Sequence, residues 1–149
     1  MGTHYKGSKK EKRALDSYIK LMRAADTINS AVNLSLSKCG LTESQFNVMD
    51  SLYHLGPLSQ KELGYKLLKS GGNITMVIDN LERDAYVERR RSTKDRRIFF
   101  VHLTKKGKKK LEEILPVQVN FITNEMNRLS KTEQIELQRL CKKIGIRIQ

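Results

Sequence analysis

This chain of 149 residues has no tryptophan, only two prolines and two cysteines, and no apolar run near the ~18 residues of a membrane span. Cys39 and Cys141 lie far apart in sequence, which suggests neither a disulfide framework nor a zinc knuckle, so reduced thiols are expected. His4, His54 and His102 are scattered without metal-ligand spacing, so no metal or other cofactor is expected. The lysine-rich opening lacks the apolar core of a signal peptide, and the expected location is cytoplasmic. The absence of a Gly-rich phosphate loop, an H-E-x-x-H pair and a nucleophile elbow argues against an enzyme. Aromatic residues make up 6% of the chain, too few for the stacking platforms of a single-strand RNA binder.

Positive charge is abundant and concentrated. The formal net charge is +13. Between Tyr86 and Lys110 there are eleven Lys/Arg against Glu88 and Asp95, and from Met1 to Arg13 five against Glu11. The remaining residues hold equal numbers of bases and acids. A positive potential gathered into two segments points to a phosphate-bearing partner rather than to general solubility.

Apolar spacing divides the chain into helices. Leu15, Tyr18, Ile19, Met22, Ala25, Ile28, Val32 and Leu36 predict a first helix over about residues 12–38, ended by Gly40. Three capping boxes mark later helix starts at Thr42-Glu43-Ser44-Gln45, Ser59-Gln60-Lys61-Glu62 and Ser130-Lys131-Thr132-Glu133. The second box opens a short helix with Leu63, Leu67 and Leu68 inward. After Ser70-Gly71-Gly72, the residues Ile74, Val77, Ile78, Leu81 and Ala85 line the buried side of the next. Two short helices around a glycine-containing turn form a helix-turn-helix pattern.

From Tyr86 the period falls to two. Val87, Arg89 and Arg91 alternate with Glu88 and Arg90, and Ile98 to Leu103 is β-rich, so a two-stranded hairpin with a charged tip follows the helix-turn-helix. Thr104 then caps a long helix carrying Leu111, Ile114, Leu115, Val119, Ile122 and Met126, in which Pro116 is expected to introduce a kink. The last helix places Leu137, Leu140, Cys141 and Ile144 inward. The expected fold is mainly α with a small β-hairpin: a winged helix-turn-helix lobe over about 42–103, flanked by dimerisation helices over about 12–38 and 104–147 of one 1–149 unit. The flanking stripes exceed what a small module needs; they pack either on their own lobe or on a second copy, and a two-fold dimer would match a palindromic DNA site.

A helix fits the DNA major groove, where Asn73, Asn80 and Arg83 offer groups able to read base edges and Thr75 or Met76 could meet a thymine methyl. Lys94, Arg96 and Arg97 at a hairpin tip suit a narrow minor groove, and Asp95 beside them is expected to orient an arginine. Lys105, Lys106 and Lys108 serve either diffuse phosphate attraction or a solvated face.

The segment from Leu58 to Lys110 resembles the MarR family of winged-helix transcriptional regulators. The resemblance lies in Ser59-Gln60-Lys61-Glu62-Leu63, in Ile74-Thr75-Met76-Val77-Ile78-Asp79-Asn80-Leu81-Glu82, and above all in Asp95-Arg96-Arg97 followed by Leu103-Thr104-Lys105-Lys106-Gly107. Flanking helix lengths extend it from about Lys12 onward. Ser70-Gly71-Gly72-Asn73-Ile74-Thr75 and the Leu140-to-Gly145 ending are also similar to the hydroquinone- and catechol-responsive branch. The resemblance implies a homodimer that represses genes beside a palindromic operator on double-stranded DNA and is released by a small phenolic or aromatic effector. It places the family's wing arginine at Arg96 or Arg97, and the recognition helix, with Ser70 at its approach, over 72–83. Tyr18, Met22, Phe46, Met49 and Tyr53 are candidates to line an effector pocket, or are simply core. Two alternatives remain: an effector-independent activator or architectural protein, and a thiol-based redox repressor using Cys39. Peroxide-sensing relatives carry their reactive cysteine near the start of the first helix, where this chain has none.

Overall fold

A computed structural model describes residues 2–67 and 71–145. Leu68 and Ser70, and the end of the last expected helix at 147, lie outside the described residues. The elements in order are α1 (Lys9–Ser37), α2 (Glu43–Leu55), β1 (Leu58–Ser59), α3 (Gln60–Lys66), α4 (Gly71–Arg83), β2 (Val87–Arg91), β3 (Phe99–Leu103), α5 (Lys105–Met126) and α6 (Lys131–Gly145). All three expected capping boxes are present, at Thr42, Ser59 and Ser130. A fourth, Ser8 with Glu11, starts α1 earlier than the apolar stripe does: Glu11 N–H donates to Ser8 Oγ at 3.2 Å and Ser8 N–H to Glu11 Oε2 at 2.7 Å. Among the described residues no helix is long and apolar enough to cross a membrane.

The hairpin proves to be part of a three-stranded antiparallel sheet in the order β1-β3-β2. Leu58 and Ser59 pair with Val101 and Phe100, a two-residue strand too short to leave a periodic signal between the Gly56-Pro57 break and the cap of α3. Val87 and Val101 on the inner face of the sheet join Leu36, Leu41, Val48, Met49, Leu52, Leu63, Ile74, Ile78, Leu81, Leu111 and Ile114 in one core. This core therefore takes in the C-terminal end of α1 and the first half of α5, as well as the helix-turn-helix. Ala85 is not part of the buried stripe of α4. It stands beyond the helix end at φ 62°, with Ala85 N–H donating to Glu82 O and Tyr86 N–H to Leu81 O, a Schellman closure whose left-handed position usually belongs to glycine.

Beyond the shared core the long helices are uncovered. Leu111, Ile114 and Gln118 form the inner row of α5, with Gln118 Nε2 donating to Ser35 Oγ of α1 at 2.9 Å. That row turns Val119 and Ile122, on the stripe left open between the chain's own lobe and a second copy, out to solvent. Tyr18, Leu21 and Met22 on α1 and Leu137, Leu140 and Ile144 on α6 are likewise exposed, and α6 buries no residue against this chain. Cys141, expected on a buried stripe, is exposed with them. Pro116 does not end α5, which runs through it to Met126.

Where α5 begins, a Cβ on Gly107 would stand 2.1 Å from Tyr86 O and 2.8 Å from Leu103 Cδ1. Gly107→Ala is expected to cost about 1–3 kcal/mol or more, because the obstacle is backbone. Ala85→Gly is expected to stabilise by up to about 1 kcal/mol, the relief of the left-handed strain less the entropy of glycine. Thermal unfolding of both variants checks this: the first melts lower than wild type and the second higher.

Candidate nucleic-acid interface

Helix α4 buries Ile74, Ile78 and Leu81, so its opposite side is open. Asn73, Met76 and Arg83 are exposed there and Asn80 is half-buried. The guanidinium of Arg83 lies 3.7 Å from Asp84, with its side chain largely in solvent. Thr75 is placed differently from the other candidates. Its hydroxyl donates to Gly71 O at 2.8 Å and accepts a short bond from Gln60 Nε2, which leaves its methyl as the outward-usable group. Ser70 lies outside the described residues.

The wing tip is organised by two small polar side chains. Ser92 Oγ accepts from the N–H groups of Lys94 and Asp95 at 3.2 and 3.3 Å, and Ser92 N–H donates to Ile98 O at 2.8 Å. Asp95 accepts three bonds from Arg97: from the backbone N–H at 3.0 Å, and from Nε and Nη2 at 3.1 Å each. This two-toothed grip holds the arginine in one orientation while its side chain remains 90% exposed. It also holds the Asp95 carboxyl below its ordinary pKa, through the Arg97 side chain first and the Arg97 backbone N–H second. Lys94 and Arg96 are exposed beside it. A tip that holds one cation, Arg97, in a fixed orientation toward solvent can engage a polyanion with less side-chain ordering left to do at that residue.

On the outer face of the hairpin, Glu88 faces His102 and Arg90 faces Phe100 across the strands. Partial burial, and then Arg90, push the His102 imidazole below its usual pKa against the opposing pull of Glu88. On the inner face, Arg89 shares the phase of the buried Val87 and turns toward α4. It forms ion pairs with Asp79 and Glu82 at 2.6 and 3.1 Å. Arg89 and Gln60 were not among the candidates read from the sequence. The available signal was the alternation itself, which puts an arginine on the face of β2 that also carries Val87.

The D-R-R…L-T-x-x-G motif has a physical basis here. Thr104 Oγ1 donates toward Ala85 O at 2.7 Å and Tyr86 O at 3.1 Å, and accepts from Gly107 N–H at 3.0 Å. Lys106 Nζ donates to Asp84 O at 2.9 Å and lies over the Tyr86 ring. Thr104 and Lys106 thus occupy the carbonyls left at the end of α4, and Gly107 permits the approach. Lys106 is accordingly not a diffuse phosphate ligand alone.

Within this single chain the five pocket candidates stand in different surroundings. Met49 is fully buried, Phe46 and Tyr53 pack against the core, and Met22 is exposed on α1. Tyr18 borders a separate cleft of about 360 Å³ between α1 and α6, with Leu21, Leu137, Leu140 and Cys141. Tyr53 borders another, of about 490 Å³, with Leu52, Leu103, Thr104, Lys105 and Lys108, and its hydroxyl donates to Glu112 at 3.3 Å. The helical spacing that grouped the five residues could not say which helix each one would meet. Cys39 is half-buried and packs against the core.

Comparison with known proteins identifies the family and the fold. Residues 41–99 match the MarR family. The uncharacterized HTH-type transcriptional regulator YkoM of Bacillus subtilis is 35% identical over 92% of this chain and 89% of its own length. The HTH-type transcriptional regulator MhqR of the same species is 34% identical over 90% of this chain and 92% of its own. Among solved structures, a mutant MarR from E. coli complexed with operator DNA is 27% identical, with a TM-score of 0.76, covering 87% of this chain and 96% of that one.

The Asp95 carboxyl gives a pH prediction. Because its folded pKa is depressed, the grip on Arg97 is fully present above the ordinary aspartate pKa and is lost as pH falls through the lowered value. An NMR titration of Asp95 should show a midpoint below that of an unpaired aspartate, and Arg97→Ala should move it back up.

Proposed function

The chain belongs to the MarR family of transcriptional regulators, and from that premise we propose that it is a homodimeric repressor. It binds double-stranded DNA in a sequence-specific way, with α4 in the major groove and the tip from Lys94 to Arg97 in the adjacent minor groove. It is a regulator and not an enzyme. The observation that carries the reading is the wing. A basic hairpin with Arg97 held outward by Asp95 is rooted, through Arg89, on the flank of a helix whose other side is open.

The uncovered apolar faces of α1, α5 and α6 support the homodimer, since a second copy is the surface best matched to bury them. Two recognition helices about one helical turn apart, roughly 34–36 Å, then meet the two halves of a palindromic operator. Release by a small phenolic or aromatic effector fits the family resemblance and the cleft beside Tyr53, Thr104, Lys105 and Lys108, which lies where the DNA-reading lobe joins α5. An effector that prefers one spacing of the two lobes would shift the dimer toward a shape that cannot span the operator.

Selection from random duplexes should recover a palindromic site with half-sites about one helical turn apart. Recovery of no common sequence, or tighter binding to single-stranded RNA, would overturn the reading. With that duplex, Arg96→Ala and Arg97→Ala should each weaken binding while the dimer stays intact. For every phosphate that a variant no longer neutralises, the log–log salt dependence should flatten by about 0.9. Titrating phenolic compounds during operator binding separates the effector-released repressor from an effector-independent DNA-binding protein, whose affinity they leave unchanged.

A further inference from the structure

Resting on the reading of α4 as the helix that enters DNA, we propose that Arg89 is a positioning residue for operator recognition, fixing the roll of α4 without touching DNA itself. Its side chain is 22% exposed, and its donors point inward. Arg89 Nη2 donates to Asp79 Oδ1 at 2.6 Å and Nη1 to Glu82 Oε1 at 3.1 Å, while the backbone N–H donates to Glu82 Oε2 at 2.9 Å. Nη2 also reaches Gln60 Oε1 of α3 at 3.5 Å, and Gln60 Nε2 donates to Thr75 on α4. One guanidinium therefore joins the wing strand to both helices of the helix-turn-helix.

The apolar packing of Ile74, Ile78 and Leu81 sets the depth and the coarse roll of α4, but apolar attraction is non-directional and leaves the last degrees of rotation adjustable. Directional bonds along the flank of Thr75, Asp79 and Glu82 remove that freedom, and a base-reading group must be held within roughly 0.5 Å and 10–20°. The charges argue the same way. Two carboxylates on a helix that approaches phosphates oppose binding, and Arg89 neutralises only one of them. Their placement is accounted for by geometry rather than by attraction for DNA.

Asp79→Asn separates the two effects by sign. Removing a negative charge alone tightens binding to every duplex, whereas loosening the helix weakens only the specific one. The test compares the duplex selected by the wild-type protein with an unrelated duplex of equal length, across a salt series. Asp79→Asn should bind the unrelated duplex at least as tightly as wild type and the selected one about five- to tenfold more weakly. Arg89→Met should lose at least as much on the selected duplex without changing the salt slope on the unrelated one, and Arg89→Lys should recover part of the loss.

The proposal is overturned if Asp79→Asn tightens both duplexes alike, or if Arg89→Met weakens both alike with a slope reduced by about 0.9, the mark of a phosphate ligand. A lower melting temperature with an unchanged ratio of the two affinities overturns it too. Amide hydrogen exchange of the DNA-free Asp79→Asn protein tests the tie independently. Faster exchange in α4 than in α2, relative to wild type, supports it and unchanged exchange in α4 overturns it. If the wild-type protein selects no duplex, the reading of the function fails, and the exchange measurement still judges the tie.

Discussion

The close approach of the first turn of α5 to the backbone of Tyr86 is the constraint on which the arrangement turns. Three carbonyls left over at the end of α4, those of Asp84, Ala85 and Tyr86, are satisfied by Lys106 and Thr104, while Gly107 leaves room for the approach. The bonds to Asp84 and Ala85 are exposed and that to Tyr86 is part-buried, so each adds about 0.5–1.5 kcal/mol, and the steric fit at Gly107 is the stricter constraint. The junction fixes the end of α4, the root of β2 and the start of α5 to one another. Through this junction a displacement of α5, whose second half carries the exposed Val119 and Ile122, would reach both α4 and β2, the elements proposed above to present the DNA-binding surface.

The basic residues of the wing serve different ends. Arg97 is oriented outward by Asp95, Arg96 and Lys94 stand exposed, and Arg89 is spent inside the lobe on Asp79 and Glu82. Arg90 pairs with Glu88 on the outer face, and Arg91 lies over the Phe99 ring. Charge density by itself overstates the number of cations free to meet phosphate. What distinguishes them is strand phase together with position along the strand. Arg89, in phase with Val87 and level with α4, becomes structural. Arg91, in the same phase but nearer the tip, stays exposed over Phe99, and the residues of the tip remain available.

Helix starts were legible because capping is local. Thr42, Ser59, Thr104 and Ser130 each bind an amide within three residues, a relation that needs no knowledge of the fold. The box at Ser8 is equally local, yet it precedes the first apolar residue of the stripe, and a boundary drawn from apolar spacing begins too late. Strand β1 and the tie of Gln60 to Thr75 were not legible, since each joins residues whose neighbours in sequence belong to other elements. Val119, Leu137 and Leu140 show the limit of periodicity. Spacing identifies an apolar face, but not whether this chain or another copy covers it.

The order of amino acids alone determined the sequence of helices and the two strands of the hairpin, the concentration of charge there, and the family. All of these follow from patterns within a few residues, or from motifs read in line. Only the tertiary structure decided which polar groups are consumed internally and which remain for a partner. Thr75 turns its hydroxyl to Gln60 and Gly71, Arg89 turns to α4, and within this chain Met49 lies in the core while Tyr18 and Tyr53 border separate clefts. The physical reason is that a side chain's partner is set by where distant elements cross, and no local pattern encodes that crossing.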